Sequence, residues 1–332
     1  MFTNLNEKLS SEFTQEEFLD VRRKPLDVLP PAVRPYLELI RLEKPTGMKL
    51  MFWPFAWGLT MAAYSVKMSW NTYTFSLMQC FFSAFIIRSS ACTVNDIFDR
   101  KVDAGVERTK KRPLASGQIS VCAASVYVLV QYAIGIVWFY FTVEDFAYES
   151  CPTMRLLVVR FAIYPLLKRV TYWPQAWLGF AMNFGFVTAW VSTTNSLNVP
   201  LLSTAMAGCW CWTMLYDTIY ACQDIEDDVK MGVRSTAILF GPYIRPLLMA
   251  CGCSFTILFC ATGCLNKQGL AFYIVSIGGL LVHLIRQWRT VDLEIPESCG
   301  INFNSNGQLG WIIWLGLAID YALSLEVAKG FE

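Results

Sequence analysis

The chain has 332 residues, 55% of them apolar and only 16% charged, and its 27 Lys and Arg against 26 Asp and Glu leave a formal net charge of +1. Mean hydropathy is +0.41. A soluble protein carries about 25% charged residues, so this balance excludes an ordinary water-soluble domain; near-neutrality argues against a nucleic-acid partner, whose binding draws on a large excess of Lys and Arg.

The first forty-odd residues are polar and show no apolar signal core. They contain Glu7, Glu12, Glu16, Glu17 and Asp20, where a mitochondrial transit peptide is rich in Arg and poor in acid. Residues 1–45 therefore read as a polar cytosolic extension, and the address as endomembrane (endoplasmic reticulum or Golgi) rather than the mitochondrial inner membrane.

A bilayer core about 30 Å thick takes roughly 20 helical residues to cross. Nine apolar stretches approach that length, at 47–66, 74–94, 119–141, 152–168, 175–192, 200–223, 236–261, 269–287 and 309–327, the fourth carrying Arg155 and Arg160. They are continuous apolar runs rather than alternating ones, which argues for helices and against a closed barrel. The expected fold class is thus all-α, a polytopic bundle of nine transmembrane helices over residues 46–328 in contact with the lipid bilayer, with no obligate protein partner evident.

With nine crossings, one side collects Arg100, Lys101, Arg108, Lys110, Lys111, Arg112, Lys168, Arg169, Lys230, Arg234, Arg286 and Arg289. The other holds Lys67, Lys267 and Lys329 with acidic Glu144, Asp145 and Glu149. The bias of basic residues toward the cytosol places the N-terminus and the loops after segments two, four, six and eight there. The twelve cysteines fall mostly within apolar stretches and read as small packing residues rather than disulfides or metal ligands.

Charge gathers where segment two ends, in NDIFDRKVDAGVERTKKRPLASG from Asn95 to Gly117. Asn95, Asp99 and Asp103 are four apart and Asp96 lies three before Asp99, so a helix continuing from segment two stacks them on one face. Stacked carboxylates beside a bilayer need a cation, and an all-oxygen set suits a hard ion such as Mg²⁺. A second acidic group follows segment six in YDTIYACQDIEDDVKMGVRSTAILFG from Tyr216, where Asp224 and Asp228 repeat the four-residue interval and Asp217 lies two turns earlier. Two such faces opposed across a bundle suit two or more Mg²⁺ ions completed by a diphosphate. Arg108, Lys110, Lys111 and Arg112 follow closely enough for their loop to fold back and bind its oxygens. Taken singly, Glu226, Asp227, Lys110 and Lys111 read as solvated surface. His283, the one histidine, reads as a satisfied packing residue, and its solitude excludes multi-histidine metal sites.

These residues resemble the UbiA superfamily of integral-membrane prenyltransferases. NDIFDRKVD matches that family's NDxxDxxxD motif, and RTKKRPLASG and QDIEDDVKMGVRSTAILFG resemble segments of its 4-hydroxybenzoate polyprenyltransferase branch. YPLLKRVTYWPQAWLGFAMNFG contains a YxxxK element as Tyr164 and Lys168, and RLEKPTG from Arg41 resembles the RxxKP that opens the first helix. The resemblance runs from about residue 36 to 325 and implies a nine-helix bundle around a central cavity, polar at the end that binds Mg²⁺ and prenyl diphosphate and apolar in the depth that holds the isoprenoid. Carried over, it implies Asn95, Asp99, Asp224 and Asp228 as leading metal ligands, with Asp103 and Asp96 in support. Tyr164, Lys168, Arg108 and Arg112 would contact diphosphate, with Lys230 also a substrate-binding candidate and Arg41 a contact for the aromatic acceptor. Asp96, Asp99, Asp224 and Lys168 would carry the chemistry.

The implied reaction ionises an allylic diphosphate, and an electron-rich aromatic ring attacks the carbocation at carbon; the base is open among Asp96, Asp217 and the released diphosphate. The acidic N-terminal stretch favours the fungal branch that prenylates phenolic acids and polyketides in meroterpenoid pathways, often with farnesyl diphosphate. A 4-hydroxybenzoate polyprenyltransferase of ubiquinone biosynthesis, a membrane terpene cyclase on the same scaffold, and a polytopic transporter are the alternatives. A CDP-alcohol phosphotransferase is disfavoured because its DGxxAR signature is missing.

Overall fold

The computed structural model describes residue 26 and residues 29–142 and 157–329, giving backbone alone for 157–162 and 327–329. Glu7, Glu12, Glu16, Glu17, Asp20, Glu144, Asp145, Glu149, Arg155 and the Arg160 side chain, on which parts of the topology expectation rest, lie outside the described side chains. All regular structure among the described residues is helical.

A short helix, α1 (Arg34–Leu39), interrupts the stretch expected to be a plain polar extension. Its Leu39 is fully buried with Leu114, Ile119 and Ala124, and Tyr36 meets Tyr127 edge-on at 5.2 Å. Apolar residues spaced three apart drove this helix down onto the bundle, a pattern too short to register as a membrane segment. α2 (Thr46–Val66) follows, ending where Lys67 turns left-handed at φ 52° and donates its N–H to Ala63 O. α3 (Trp70–Asp103) starts at Ser69, whose hydroxyl accepts the Thr72 N–H. Its 34 residues span about 51 Å at 1.5 Å each, longer than a hydrocarbon core of about 30 Å requires.

α4 (Val121–Thr142) is separated from α5 (Leu157–Val170) by the undescribed stretch. α6 (Pro174–Thr194) and α7 (Val199–Ala221) each begin with Pro in the first turn, where its missing N–H costs nothing. The second acidic group does not continue as one helix: α7 gives way to a 3₁₀ turn at Cys222–Asp224 before α8 (Ile225–Met231). α9 (Thr236–Phe240), α10 (Ile244–Leu265), a π turn at Phe272–Ile277 running into α11 (Gly278–Thr290), and α12 (Pro296–Lys329) complete the chain.

α12 begins thirteen residues before the apolar stretch expected at 309, because its polar first turns are used internally. Asn306 accepts from Trp212 Nε1 at 3.2 Å, and Asn302 O accepts from Gln287 Nε2 at 3.1 Å.

Four described stretches are long and apolar enough to cross a membrane: Trp70–Asp103, Val121–Thr142, Thr236–Leu265 and Pro296–Glu326. α4 shows lipid-facing character most plainly, with Leu129, Ile134, Ile136 and Val137 exposed. α2, α6 and α7 lie inside, where their polar side chains meet other helices: Thr60 reaches Ala56 O and the Tyr73 hydroxyl, and Asn183 donates to Gly179 O, Cys209 O and Thr213 Oγ1. The core is aromatic. Trp57 packs on Trp212 at 4.9 Å and on Phe259 at 5.4 Å, joining α2, α7 and α10. α2 and α6 touch backbone to backbone because Gly58 has no side chain, and a Cβ there would lie 2.5 Å from Phe186 O.

Two packing expectations resolve differently. The described cysteines are all free thiols; Cys92, Cys209, Cys222, Cys251 and Cys299 are buried as packing residues, whereas Cys122, Cys253 and Cys264 are exposed. His283 is not a satisfied residue: its Nε2 is buried with no hydrogen-bond partner among the described residues.

Candidate functional site

Asp96, Asp99 and Asp103 lie on one face of α3 at 0%, 5% and 6% exposure, stacked as their spacing predicts. Carboxylates this buried persist as anions only with cations beside them, and three further elements supply these.

The first is the loop after α3, which folds back across the bundle end. Glu107 N donates to Asp227 Oδ2 at 3.2 Å, so Asp227, expected as solvated surface, is a latch between this loop and α8. Thr109 Oγ1 donates to Asp103 O at 2.9 Å, securing the turn. Arg108 then lands on the second acidic group. Its Nε donates to Asp224 Oδ1 at 2.9 Å, its Nη2 donates to Asp224 Oδ2, its Nη1 donates to the Tyr220 hydroxyl at 2.7 Å, and its guanidinium lies 4.8 Å from the centre of the Tyr220 ring. Burial works against the Arg108 charge, but Tyr220 and Asp224 outweigh it and hold its pKa above the ordinary arginine value. Arg112 Nη1 donates to Asp103 Oδ2 at 2.7 Å and lies 3.4 Å from Asp96 Oδ1.

The second is the end of α5. Lys168 Nζ donates to Asp99 Oδ2 at 3.2 Å while lying 4.7 Å from the centre of the Tyr164 ring, and Tyr164 donates its hydroxyl to Asp217 Oδ2 at 3.4 Å. Arg169 is 4.0 Å from Asp99 Oδ1. The third is the turn before α2, where Arg41 Nη2 donates to Asp96 Oδ1 at 2.6 Å. Arg41 thus faces a carboxylate of α3 in this arrangement, where the resemblance implied an acceptor contact.

The fold therefore brings the ends of α3, α5, α7 and α8 to one mouth. Asp228 lies within electrostatic reach of Asp224, Lys168, Arg108 and Asp227; burial, with Asp224 adding to it, pushes its carboxyl up to about 6. Asn95 is half-buried on α3 beside this face. Lys230 is not drawn in: its side chain is 69% exposed and pairs with Asp227 at 3.4 Å on the outer face of α8.

Among the described residues no three His, Cys, Asp or Glu side chains gather closely enough to hold an ion unaided. The reason is visible, since Asp99, Asp103 and Asp224 each face a Lys or Arg. The donor chemistry nonetheless fits Mg²⁺, which takes oxygen ligands at one or two carboxylates and completes its shell with water and substrate phosphate. Asp96 Oδ2 is buried without a partner, an oxygen left over in the same acidic face.

Arg88 is the residue that motif reading passed over. It is the single charge in the stretch 74–94, eleven residues before Asp99 and so about 16 Å deeper along α3. No hydrogen bond or ion pair engages it among the described residues. It lies over the bare backbone of Gly47 on α2 and within electrostatic reach of Asp217 and Tyr216. A charge inside a membrane helix is expensive and marks a functional position, so its signal was present in the sequence as an unexplained cation. Tyr220, which carried no motif of its own, is likewise central through its contact with Arg108.

Comparison with known proteins agrees with this architecture. The model of the UbiA prenyltransferase family matches residues 51–314. The chain is 43% identical over 302 residues to the UbiA prenyltransferase claS of Ampulloclitocybe clavipes, covering 89% of this chain and 93% of that protein. It is 35% identical over 309 residues to the mitochondrial 4-hydroxybenzoate polyprenyltransferase of Drosophila melanogaster, covering 93% and 76%. In three dimensions it is similar to a UbiA homolog from Aeropyrum pernix K1, at a TM-score of 0.67 and 23% identity over 82% of this chain and 97% of the other. It is similar too to a UbiA homolog from Archaeoglobus fulgidus bound to GPP and Mg²⁺, at a TM-score of 0.58 and 19% identity over 84% and 99%.

Proposed function

This chain belongs to the UbiA prenyltransferase family, and from that premise we propose that it transfers a prenyl group, farnesyl in our reading, from a prenyl diphosphate to a ring carbon of a phenolic acid or polyketide. Residues 46–328 form the transferase domain, with its polar mouth toward the cytosol of an endomembrane. The carrying observation is the meeting of two acidic groups with Arg108, Arg112 and Lys168 at one bundle end. The GPP and Mg²⁺ of the Archaeoglobus homolog support the same chemistry here.

Asn95, Asp99, Asp103, Asp224 and Asp228 are the oxygen donors for Mg²⁺, which when bound neutralises charge on the diphosphate. The chain's own cations do the rest. Arg108 and Lys168 now face Asp224 and Asp99, and with a diphosphate present they turn to its oxygens and stabilise the charge that develops as the carbon–oxygen bond breaks. Tyr164, fixed by Asp217, covers Lys168 and adds a hydroxyl on the same side. The aromatic core excludes bulk water that would quench the allylic cation.

Deeper in, the guanidinium of Arg88, without an ion pair or hydrogen bond among the described residues, suits the carboxylate of a phenolic acid, holding the ring between itself and the diphosphate. The ring carbon bonds to the allylic cation and the displaced ring proton leaves to Asp217, Asp96 or the released diphosphate.

The chain is more similar to the UbiA prenyltransferase of the fungus Ampulloclitocybe than to the mitochondrial 4-hydroxybenzoate polyprenyltransferase of Drosophila. The 4-hydroxybenzoate polyprenyltransferase of Drosophila, at 35% identity, keeps 4-hydroxybenzoate as a second candidate acceptor. The test is a microsomal assay with Mg²⁺ or EDTA, geranyl, farnesyl and geranylgeranyl diphosphates, and 4-hydroxybenzoate or orsellinic-acid-type phenols, with products identified by mass. A C-prenylated phenol that disappears with EDTA is the expected result. A terpene formed equally well without any phenol contradicts it and indicates a cyclase.

A further inference from the structure

A recess lies in the half of the bundle away from the mouth. Its volume is about 170 Å³, and its walls come from α2, α3, α4 and α6, with Phe55, Gln79, Ser83, Phe139, Thr188 and Ser192 among the lining. Ser83 precedes Asp99 by sixteen residues and so stands about 24 Å from it along α3. Phe139 and Ser192 sit near the ends of α4 and α6. The recess is therefore separate from the carboxylates and cations of the mouth.

Two hydroxyls in its wall have hydrogen-bonding capacity to spare. Ser83, 6% exposed, accepts from Trp138 Nε1 at 2.9 Å, and its own proton meets no acceptor among the described residues. Ser192 Oγ is buried with no hydrogen-bond partner. Thr188 Oγ1 donates to Phe184 O at 3.2 Å, which leaves its lone pairs able to accept. Unpaired hydroxyls away from water are costly, and cavities that stay empty are apolar ones. The rest of the wall is apolar and firm: Phe55 is pressed against α6 at Gly185, where a Cβ would lie 2.3 Å from its ring.

The lining contains no Asp, Glu, Lys, Arg or His, so a carboxylate or phosphate would find no cation there. An acyl or isoprenoid chain would fill the space and leave the hydroxyls unpaired. Water would pair them, but each molecule needs two to four polar partners, and Phe55, Leu59, Met68 and Phe139 give none. A cavity of about 150 Å³ holds benzene, so the size suits one ring. We propose that the recess binds an uncharged single-ring phenol, which packs its ring on Phe55 and Phe139 and shares its hydroxyl between Ser83 and Ser192. The site does not depend on the prenyl-transfer reading above, and its occupant is too far from Asp99 to react there.

The experiment photolyses an azidophenol with purified full-length protein in EDTA at neutral pH, with no diphosphate present, and locates the adducts by peptide mass. Adducts are expected on the recess lining, suppressed by excess resorcinol but not by toluene, which offers no hydroxyl, or by benzoate, which is charged. Ser83→Ala with Ser192→Ala removes two neutral hydrogen bonds and should raise the resorcinol concentration for half-suppression about ten-fold or more. Ser125→Ala, which removes a hydroxyl outside the recess, should leave it unchanged. Ala189→Leu puts bulk into the recess and should abolish the adducts there; thermal unfolding checks that each variant is folded, and the serine variants carry the test if Ala189→Leu is not. Adducts confined to the mouth or to lipid-facing residues, suppression by toluene as strong as by resorcinol, or an unchanged double-serine variant overturns the inference and leaves a recess filled by water or lipid. Since no prenyl donor is used, a protein that fails to transfer a prenyl group leaves this result standing.

Discussion

Lys168 is the most informative single change, because it separates stability from catalysis. Its Nζ lies 3.2 Å from Asp99 Oδ2, with side-chain exposures of 24% and 7%. Removing one partner of a buried pair costs about 3–5 kcal/mol, since the remaining charge is left without compensation. Arg169, 4.0 Å from the other Asp99 oxygen, offsets part of that, which puts Lys168→Gln at the lower end, about 3 kcal/mol. A lost charge-assisted contact to the diphosphate is separately worth about 1.5–3 kcal/mol, or roughly ten- to hundred-fold in kcat/KM for the donor.

The two effects part company in Lys168→Gln with Asp99→Asn. Replacing both charges removes the orphaned carboxylate, so thermal stability in detergent recovers toward wild type, whereas prenyl transfer remains lost. Stability is read by thermal unfolding, and activity by product mass with saturating acceptor. The reasoning is refuted if Lys168→Gln stays within three-fold of wild type in donor kcat/KM, or if the double variant regains activity along with stability.

Arg88→Met keeps the bulk on α3 but removes the cation, and should raise the acceptor KM about ten- to hundred-fold while leaving donor KM unchanged; equal losses for a phenol lacking the carboxylate would count against the acceptor role. Asp228, pushed up to about 6 chiefly by burial, holds its proton more tightly folded than unfolded. Its contribution to stability is therefore fully present below the ordinary carboxylate value of 3.8 and is lost as pH rises through about 6. Its ionisation over that interval frees it for Mg²⁺, so the Mg²⁺ concentration giving half-maximal activity should rise about ten-fold per unit below that pKa, and a flat profile from about pH 5 to 7 contradicts this. Gly58→Val drives a side chain into the Phe186 backbone and should lower stability by about 1–3 kcal/mol or more, read by thermal unfolding, with no selective change in either KM.

Much of this protein was legible because membrane insertion and charge leave coarse marks on a sequence. The all-helical class follows from long apolar runs, and the acidic face of α3 from a four-residue interval that any helix converts into a stack. What escaped shows where such marks stop. α1 is too short to announce itself by apolar length, and the first turns of α12 are polar residues that only partners on α7 and α11 make tolerable inside. Asp227 looked like surface because its partner, the Glu107 backbone N–H, lies 120 residues away in the chain.

The sequence by itself determined the helical membrane class and which residues carry charge at one bundle end, since hydropathy and helical spacing are local properties that no tertiary contact can reverse. Only the tertiary structure decided which cation meets which carboxylate: Arg108 with Asp224, Lys168 with Asp99, Arg41 with Asp96. Those pairings depend on how four helix ends and two connecting turns approach one another, and burial then makes each pairing obligatory, because a carboxylate removed from water must find its cation wherever the fold has brought one.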